Sequence, residues 1–226
     1  MKIELLEEVG STNDYIKRYL SGVEDVVVCA KRQTSGRGTK GRSFLSEEGG
    51  VYLSALTYYD NLPACEAFKI MTHAAVAVCR TAKEFGVEPE IKWPNDVLVN
   101  GKKLCGILIE NILTGGCIKA SVVGIGLNVV NELSNLKGIA VSLSELTNKS
   151  MRAEDVRDRL IENYQKTSAF AEYLSYVRFL GKAVRIIEGE KESLATARRI
   201  LPDGRLEIEQ DGIVRALSAA EISLRL

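Results

Sequence analysis

Apolar positions along the chain change period several times, and each change marks an element. Alternation over Lys2–Val9 predicts a short strand. Residues 11–20 read as a short helix capped by Ser11 or Thr12, because either hydroxyl can accept from a free N–H of the first turn. Val26-Val27-Val28 centres a buried strand over 25–32, which delivers the chain into GRGTKGR at 36–42. Gly49-Gly50 precedes a β-branched and aromatic run, so 50–59 reads as another strand. Phe68, Met71, Ala75, Val78, Ala82 and Phe85 recur at spacings of three and four, which predicts an amphipathic helix over 63–85 stopped by Gly86.

Short strands follow at 90–93 and Asp96–Val99. Asn100-Gly101 then signals a hairpin, since both central residues of a type I′ turn need positive φ. The returning strand spans 103–112, Gly115-Gly116 turns the chain, and 118–130 is a strand interrupted by Gly124 and Gly126. A second long helix over 152–174 places Val156, Leu160, Tyr164 and Ala171 on one face, with Glu154 and Asp155 at its positive end. Beyond Gly181 the pattern shortens to runs at 183–187, 194–201, 206–209, Ile213–Leu217 and 222–226, with turns at Asp203-Gly204 and Asp211-Gly212. That is the signature of a small five-stranded β-barrel. The fold class is α+β: a mixed, largely antiparallel sheet with packing helices over 1–179, and a barrel domain over 180–226 too small for a large core of its own, which should pack on the first.

Charge and composition narrow the functional classes. Lys plus Arg and Asp plus Glu each number 30, so the formal net charge is zero and nothing in bulk draws the chain to nucleic acid or anionic membrane. Any phosphate must be held by a local cluster. No apolar run is long enough to span a bilayer, and the first residues lack a signal-peptide core. The five cysteines are odd in number and contain no CxxC pair, which reads as reduced thiols of a cytoplasmic protein without a zinc site. His73 is the single histidine; it falls on a helix and is expected on or beside a packed face, so histidine triads and metal clusters are disfavoured.

Two segments carry the candidate chemistry. GRGTKGR offers backbone N–H groups and cations together, as a phosphate requires, and KWPNDVLVNGKKLCG sets Trp93, Asn95, Lys102 and Lys103 around one hairpin. The first half-matches a dinucleotide fingerprint and a P-loop. Both of those need a helix at the last glycine, whose N-terminal dipole meets phosphate, and the next element here is a strand. The two segments point to a nucleotide-handling enzyme of another kind.

The order STN at 11–13, then Gln33 through Arg42, then KWPND at 92–96, KLCGIL at 103–108 and GIGLN at 124–128, then a small β-barrel, closely resembles the biotin–protein ligases, in the form without an N-terminal DNA-binding domain. The resemblance implies a class II synthetase-like catalytic domain over 1–179 and an SH3-like barrel over 180–226. It implies that biotin and ATP react to biotinyl-5'-AMP and pyrophosphate, and that biotin passes to a lysine of a biotin carboxyl carrier domain. Magnesium would accompany ATP, with no protein metal ligands singled out. No specific nucleic acid or membrane partner is implied, and the oligomeric state stays open, a homodimer included.

Residue roles follow from the same resemblance. Lys103 and Arg37 are the expected catalytic groups, Lys103 lying between the biotin carboxylate and the α-phosphate and Arg37 forking onto phosphate or carboxylate oxygens. Biotin would contact Ser11, Thr12, Asn13, Gln33, Gly36, Arg37, Gly38, Thr39, Lys103, Gly106, Gly124 and Gly126. ATP would contact Arg37, Arg42, Phe44, Asn95, Lys103 and Asn128. The residues suit that chemistry, because bringing a carboxylate onto a triphosphate calls for cations more than for a general base. Each also has a plainer reading: an N-cap at 11–13, an Asx-type turn at 93–96, solvated charges at Lys102 and Lys103, a bulge at Gly124 and Gly126.

The chain departs from the family pattern in three places. Thr39 and Lys40 stand where arginines are common, which leaves fewer donors near the intermediate. Phe44 replaces a frequent Trp, so the aromatic wall is kept without its indole donor. Gly10 stands where an acid often precedes STN. A lipoate–protein ligase is the nearest rival, but its pocket needs no partner for a polar ureido ring. A repressor would need a helix-turn-helix before the first strand, where only ten residues precede Ser11. A non-catalytic binding module is expected to lose Lys103 or the loop arginines, all of which are present.

Overall fold

In the computed structural model, which describes residues 1–189, 191–218 and 223–225, two sheets organise the chain. The larger contains β1 (Lys2–Val9), β2 (Val26–Gln33), β3 (Val51–Pro63), β4 (Glu90–Lys92), β5 (Asp96–Val99), β6 (Lys102–Thr114) and β7 (Cys117–Leu127), in the order β1-β2-β3-β7-β6-β5-β4. β1 and β2 are parallel and every other neighbouring pair is antiparallel. The expected mixed, largely antiparallel sheet is therefore present, and β3 follows the glycine loop as a strand, which removes the P-loop and dinucleotide readings.

Among the described residues, five α-helices accompany it: α1 (Thr12–Ile16), α2 (Phe68–Glu84), α3 (Leu143–Thr147), α4 (Ala153–Tyr164) and α5 (Phe170–Ser175). Alternation along β3 splits its side chains between two layers. Leu53 and Ala55 join the main core with α2 and α4, whereas Leu56 packs with Ile16 of α1, Val26, Val28 and Val122 on the opposite face. That second layer is thin, so α1 brings its polar first turn close to the strands.

The helices differ from expectation in two places, and the glycines of β7 follow the strand reading over the plainer bulge. The helix expected over 152–174 is two helices, separated at 165–169, where the Ser168 hydroxyl meets His73 Nδ1 at 3.2 Å. His73 Nε2 contacts the Tyr164 carbonyl at 2.6 Å, and Arg80 donates to the Thr167 carbonyl at 3.1 Å, so the freed groups are satisfied. The helix α3 was not expected, although Ser142 and Glu145 form a capping box that a Ser-x-x-Glu reading would have found. Gly124 and Gly126 form no bulge: they pair in register with Ser54 and Tyr52 on one side and Leu108 and Gly106 on the other.

The smaller sheet contains β8 (Ala183–Glu188), β9 (Lys191–Ile200), β10 (Leu206–Gln210), β11 (Ile213–Leu217) and β12 (Ser223–Arg225), all antiparallel, in the order β11-β10-β9-β8-β12. This is compatible with an SH3-like arrangement. Ile222 and Leu226 of the last expected run lie outside the described residues. Trp93 ties the two sheets together. Its indole is buried and Nε1 donates to the Gly204 carbonyl at 2.9 Å. Gly204 sits at φ 89° with the Phe68 ring where a Cβ would stand, so only glycine allows that approach. Trp93 is thus a strut between sheets, away from the chemistry that its neighbours suggest.

All five cysteines are free, and burial pushes the Cys29 thiol up to about 12. Among the described residues no helix is long and apolar enough to cross a membrane.

Candidate active site

A cavity of about 440 Å³ opens on the α1 face, between the start of α1, the glycine loop and the glycines of β6 and β7. It is lined by every expected site residue except Gly36. Gly36 lies behind the wall: its Phe44 and Ser46 neighbours occupy the space a Cβ would need, and its carbonyl accepts from the Phe44 N–H at 2.9 Å. It closes the base of the loop instead of touching the cavity.

One end of the cavity is a connected polar network. Gln33 at the end of β2 accepts through Oε1 from the Thr12 N–H at 2.8 Å and meets the Thr12 hydroxyl at 3.0 Å, while its Nε2 donates to Ser46 Oγ at 2.8 Å. Ser54, fully buried on β3, lies 2.8 Å from Thr12 Oγ1 and 2.6 Å from Asn13 Oδ1. Asn13 Nδ2 donates to Glu110 Oε2 at 3.0 Å. Ser11 occupies the N-cap position but makes no capping side-chain bond. The hydroxyls of STN thus serve the cavity wall rather than the helix, correcting the capping expectation. The bare Cα of Gly124 is what admits Asn13, whose Oδ1 fills the space a Cβ would take.

The glycine loop is a tight hairpin. Arg37 and Ser43 form an antiparallel bridge, the Gly38 N–H donates to the Arg42 carbonyl at 2.6 Å, and Lys40 (φ 57°) and Gly41 (φ 71°) make the left-handed turn. Arg42 folds back onto Thr39, with Nε 3.3 Å from its carbonyl and Nη2 3.2 Å from its hydroxyl. Arg37 pairs with Asp14 at 2.6 Å and Glu110 at 3.3 Å. At the foot of the loop, Phe44 lies across β6 and β7; a Cβ on Gly126 would come within 2.6 Å of its ring.

The other end is cationic and backed by rigid strands. Lys103 Nζ lies 2.7 Å from Asp96 Oδ1 and 5.7 Å from the Phe44 ring centre. A Cβ on Gly106 would meet the Lys103 side chain at 2.9 Å, so this glycine lets the ammonium swing over the strand. The Lys103 backbone is clamped, its N–H donating to Ile139 and its carbonyl accepting from Val141, so the segment carrying Leu136 and Ile139 is held over the cavity. Asn128 and Asn95 line the cavity with amides already engaged: Asn128 Nδ2 reaches the Lys103 carbonyl at 3.4 Å, and Asn95 Nδ2 the Ile107 carbonyl at 2.9 Å.

The arrangement offers a polar, directional end, an apolar floor of glycine and Phe44, and four cations at Arg37, Arg42, Lys92 and Lys103. Such a cleft can orient a polar ring and offset the charge of two anions brought together. Asp14, Lys17, Ser54, Asp96 and Glu110 all belong to this machinery and were not singled out from sequence. Asp96 lies inside the KWPND run, Ser54 and Glu110 look like ordinary strand alternation, and Asp14 and Lys17 like ordinary polar positions of a short helix.

Known proteins resemble the chain over most of its length. The family model described as "Biotin/lipoate A/B protein ligase family" matches residues 6–128. The "Bifunctional ligase/repressor BirA" of Escherichia coli is 31% identical over 99% of this chain and 74% of its own length. Its Bacillus subtilis counterpart is 30% identical over 84% of this chain, which spans only 61% of that protein. Among solved structures, the biotin protein ligase of Aquifex aeolicus in complex with biotin and ATP superposes with a TM-score of 0.77 at 28% identity, covering 99% of this chain and 98% of that one.

Proposed function

Because the chain belongs to the biotin/lipoate A/B protein ligase family, we propose that it is an ATP-dependent biotin–protein ligase that biotinylates a lysine of a biotin carboxyl carrier domain. The observation that carries the choice of biotin is the network of Thr12, Asn13, Gln33 and Ser54 at one end of the cavity. A ureido ring presents donors and an acceptor that such a network can match, whereas the dithiolane of lipoate has no polar hydrogen to donate and no oxygen acceptor to offer it.

In the first step a carboxylate oxygen of biotin attacks the α-phosphorus of ATP. The bond to the β-phosphate oxygen breaks, and pyrophosphate leaves. Lys103 is proposed to exchange its Asp96 partner for the carboxylate and α-phosphate oxygens, offsetting charge as it builds. Arg37 and Arg42 are proposed to fork onto phosphate oxygens, with the glycine hairpin allowing backbone approach. Phe44 supplies an aromatic wall beside the nucleotide, and Asn95 and Asn128 keep the β5–β6–β7 wall in place. In the second step the neutral amine of the acceptor lysine attacks the acyl carbon, AMP leaves, and an amide remains after loss of a proton.

Among the described residues no three His, Cys, Asp or Glu side chains gather to hold a metal, so the residues do not fit a protein-built magnesium cage. Magnesium is proposed only as the ion that arrives on the triphosphate, retaining most of its waters. In this reading 1–179 forms the biotin- and ATP-binding domain and 180–226 a small barrel bracing it through Gly204.

The test is incubation with ATP, magnesium, biotin and a carrier domain, followed by mass spectrometry for biotinyl-adenylate and for a biotinylated carrier. Lipoate replaces biotin in a parallel arm. Adducts with lipoate and none with biotin would reject the proposal.

A further inference from the structure

Among the described residues, Glu110 is the one carboxylate that touches both the polar network and the glycine loop. It lies on β6, opposite Val122 of β7, with its side chain 26% exposed. Its two oxygens have different partners. Oε2 accepts from Asn13 Nδ2 at 3.0 Å, while Oε1 accepts from Lys17 Nζ at 3.0 Å and faces Arg37 Nη2 at 3.3 Å. Burial alone would raise its pKa, but the Asn13 and Lys17 hydrogen bonds and the Lys17 and Arg37 charges outweigh it, so the carboxyl is held below its ordinary value.

Each contact removes a freedom. A carboxamide can present either end to a neighbour, and a carboxylate can only accept. With Nδ2 directed at Glu110, Asn13 must turn Oδ1 towards the Ser54 hydroxyl, 2.6 Å away. The same carboxylate takes one side of the Arg37 guanidinium, and Asp14, the residue after Asn13, takes the other at 2.6 Å. Asn13 and Arg37 both line the cavity, and Glu110 does not.

We propose that Glu110 is a positioning residue that couples Asn13 to Arg37, so that the ureido end of the cavity and the glycine loop are ordered as one unit. This rests on the biotin-ligase reading above. The plainer role, an ion pair with Lys17 that fastens α1 to the sheet, would affect stability without linking the two cavity residues.

Calorimetric titration of the full chain with biotin separates the two in a double-mutant cycle. Glu110→Ala should weaken biotin binding about tenfold, the scale of a hydrogen bond to a charged group. In an Asn13→Ala or an Arg37→Ala background the same substitution should cost less than about threefold, because the residue it acts through is gone. Glu110→Gln keeps the volume and covers the case in which the alanine variant does not fold. Its amide can accept at only one of the two positions, so it should also bind weakly while melting near the wild type. Equal costs in all backgrounds, or wild-type affinity in Glu110→Gln, would overturn the coupling. A wild type that binds no biotin would overturn the ligase reading and this proposal with it, an outcome distinct from normal binding with additive costs.

Discussion

Lys103 Nζ lies 2.7 Å from Asp96 Oδ1, an oxygen that is buried without a hydrogen bond of regular geometry, so the ammonium is what offsets it. The pair holds a cation ready at the cavity and makes Asp96 dependent on it. Lys103→Ala is expected to abolish adenylate formation, lowering its rate by a factor of hundreds or more. It should also destabilise the fold by about 1–3 kcal/mol by leaving a buried acceptor unmatched. Single-turnover assays and urea unfolding read the two effects separately; a near-normal rate would remove Lys103 from the mechanism.

Arg37 and Lys40 sit three residues apart in the same hairpin but differ in what they touch. Arg37 is bracketed by Asp14 and Glu110 and lines the cavity, whereas Lys40 occupies the left-handed turn at φ 57°. Arg37→Ala should weaken biotin binding and slow adenylate formation by about tenfold or more, as loss of a charge-assisted contact does. Lys40→Ala should change both by less than about twofold, because Lys40 does not line the cavity. Equal effects at the two positions, measured by calorimetry and rapid quench, would reject this division.

Thr39 accepts the Arg42 guanidinium in place of the arginine common there in the family. A single hydroxyl offers fewer donors to a bound intermediate than a guanidinium would. Thr39→Arg is therefore expected to slow release of biotinyl-adenylate without impairing its formation. The dissociation rate of labelled adenylate decides it, and an unchanged or faster rate sinks the idea.

His73 contributes a pH dependence of stability. Burial lowers its pKa more than the Tyr164 carbonyl contact restores it. The folded chain therefore holds the imidazole neutral to a lower pH than the unfolded chain does. As pH falls below the ordinary histidine value of about 6.5, the unfolded state takes up the proton first and stability declines. Stability from this group is complete above that value and is lost towards the folded-state pKa. Urea unfolding of wild type and His73→Gln at pH 7.5 and pH 5.5 should show the smaller loss in the variant; equal losses would assign the dependence to other groups.

The motifs at 11–13, 33–42, 92–96, 103–108 and 124–128 were legible because each is a contiguous run whose residue types carry their own local signal. Their convergence on one cavity was carried by their order along a recognised pattern. Gly36 was grouped with them by adjacency, yet it faces the Phe44 carbonyl and the Ser46 hydroxyl. Ser54 and Glu110 escaped notice because a polar residue at alternate strand positions ordinarily marks a solvated face. Here that face is covered by α1.

Periodicity and turn residues by themselves determined the strands, the α2 helix, the hairpin at Asn100-Gly101 and the small β sheet, because those signals arise from neighbours within a few residues. Tertiary structure alone decided what bends, pairs and reaches across. The break after Tyr164 is sustained by His73 and Arg80 from another helix. Trp93 is fixed by a carbonyl 111 residues away. Gly124 and Gly126 are bare because Asn13 and Phe44 occupy the space their side chains would need. Contacts such as these depend on which faces meet once the sheet is assembled, and no local window of sequence carries that information.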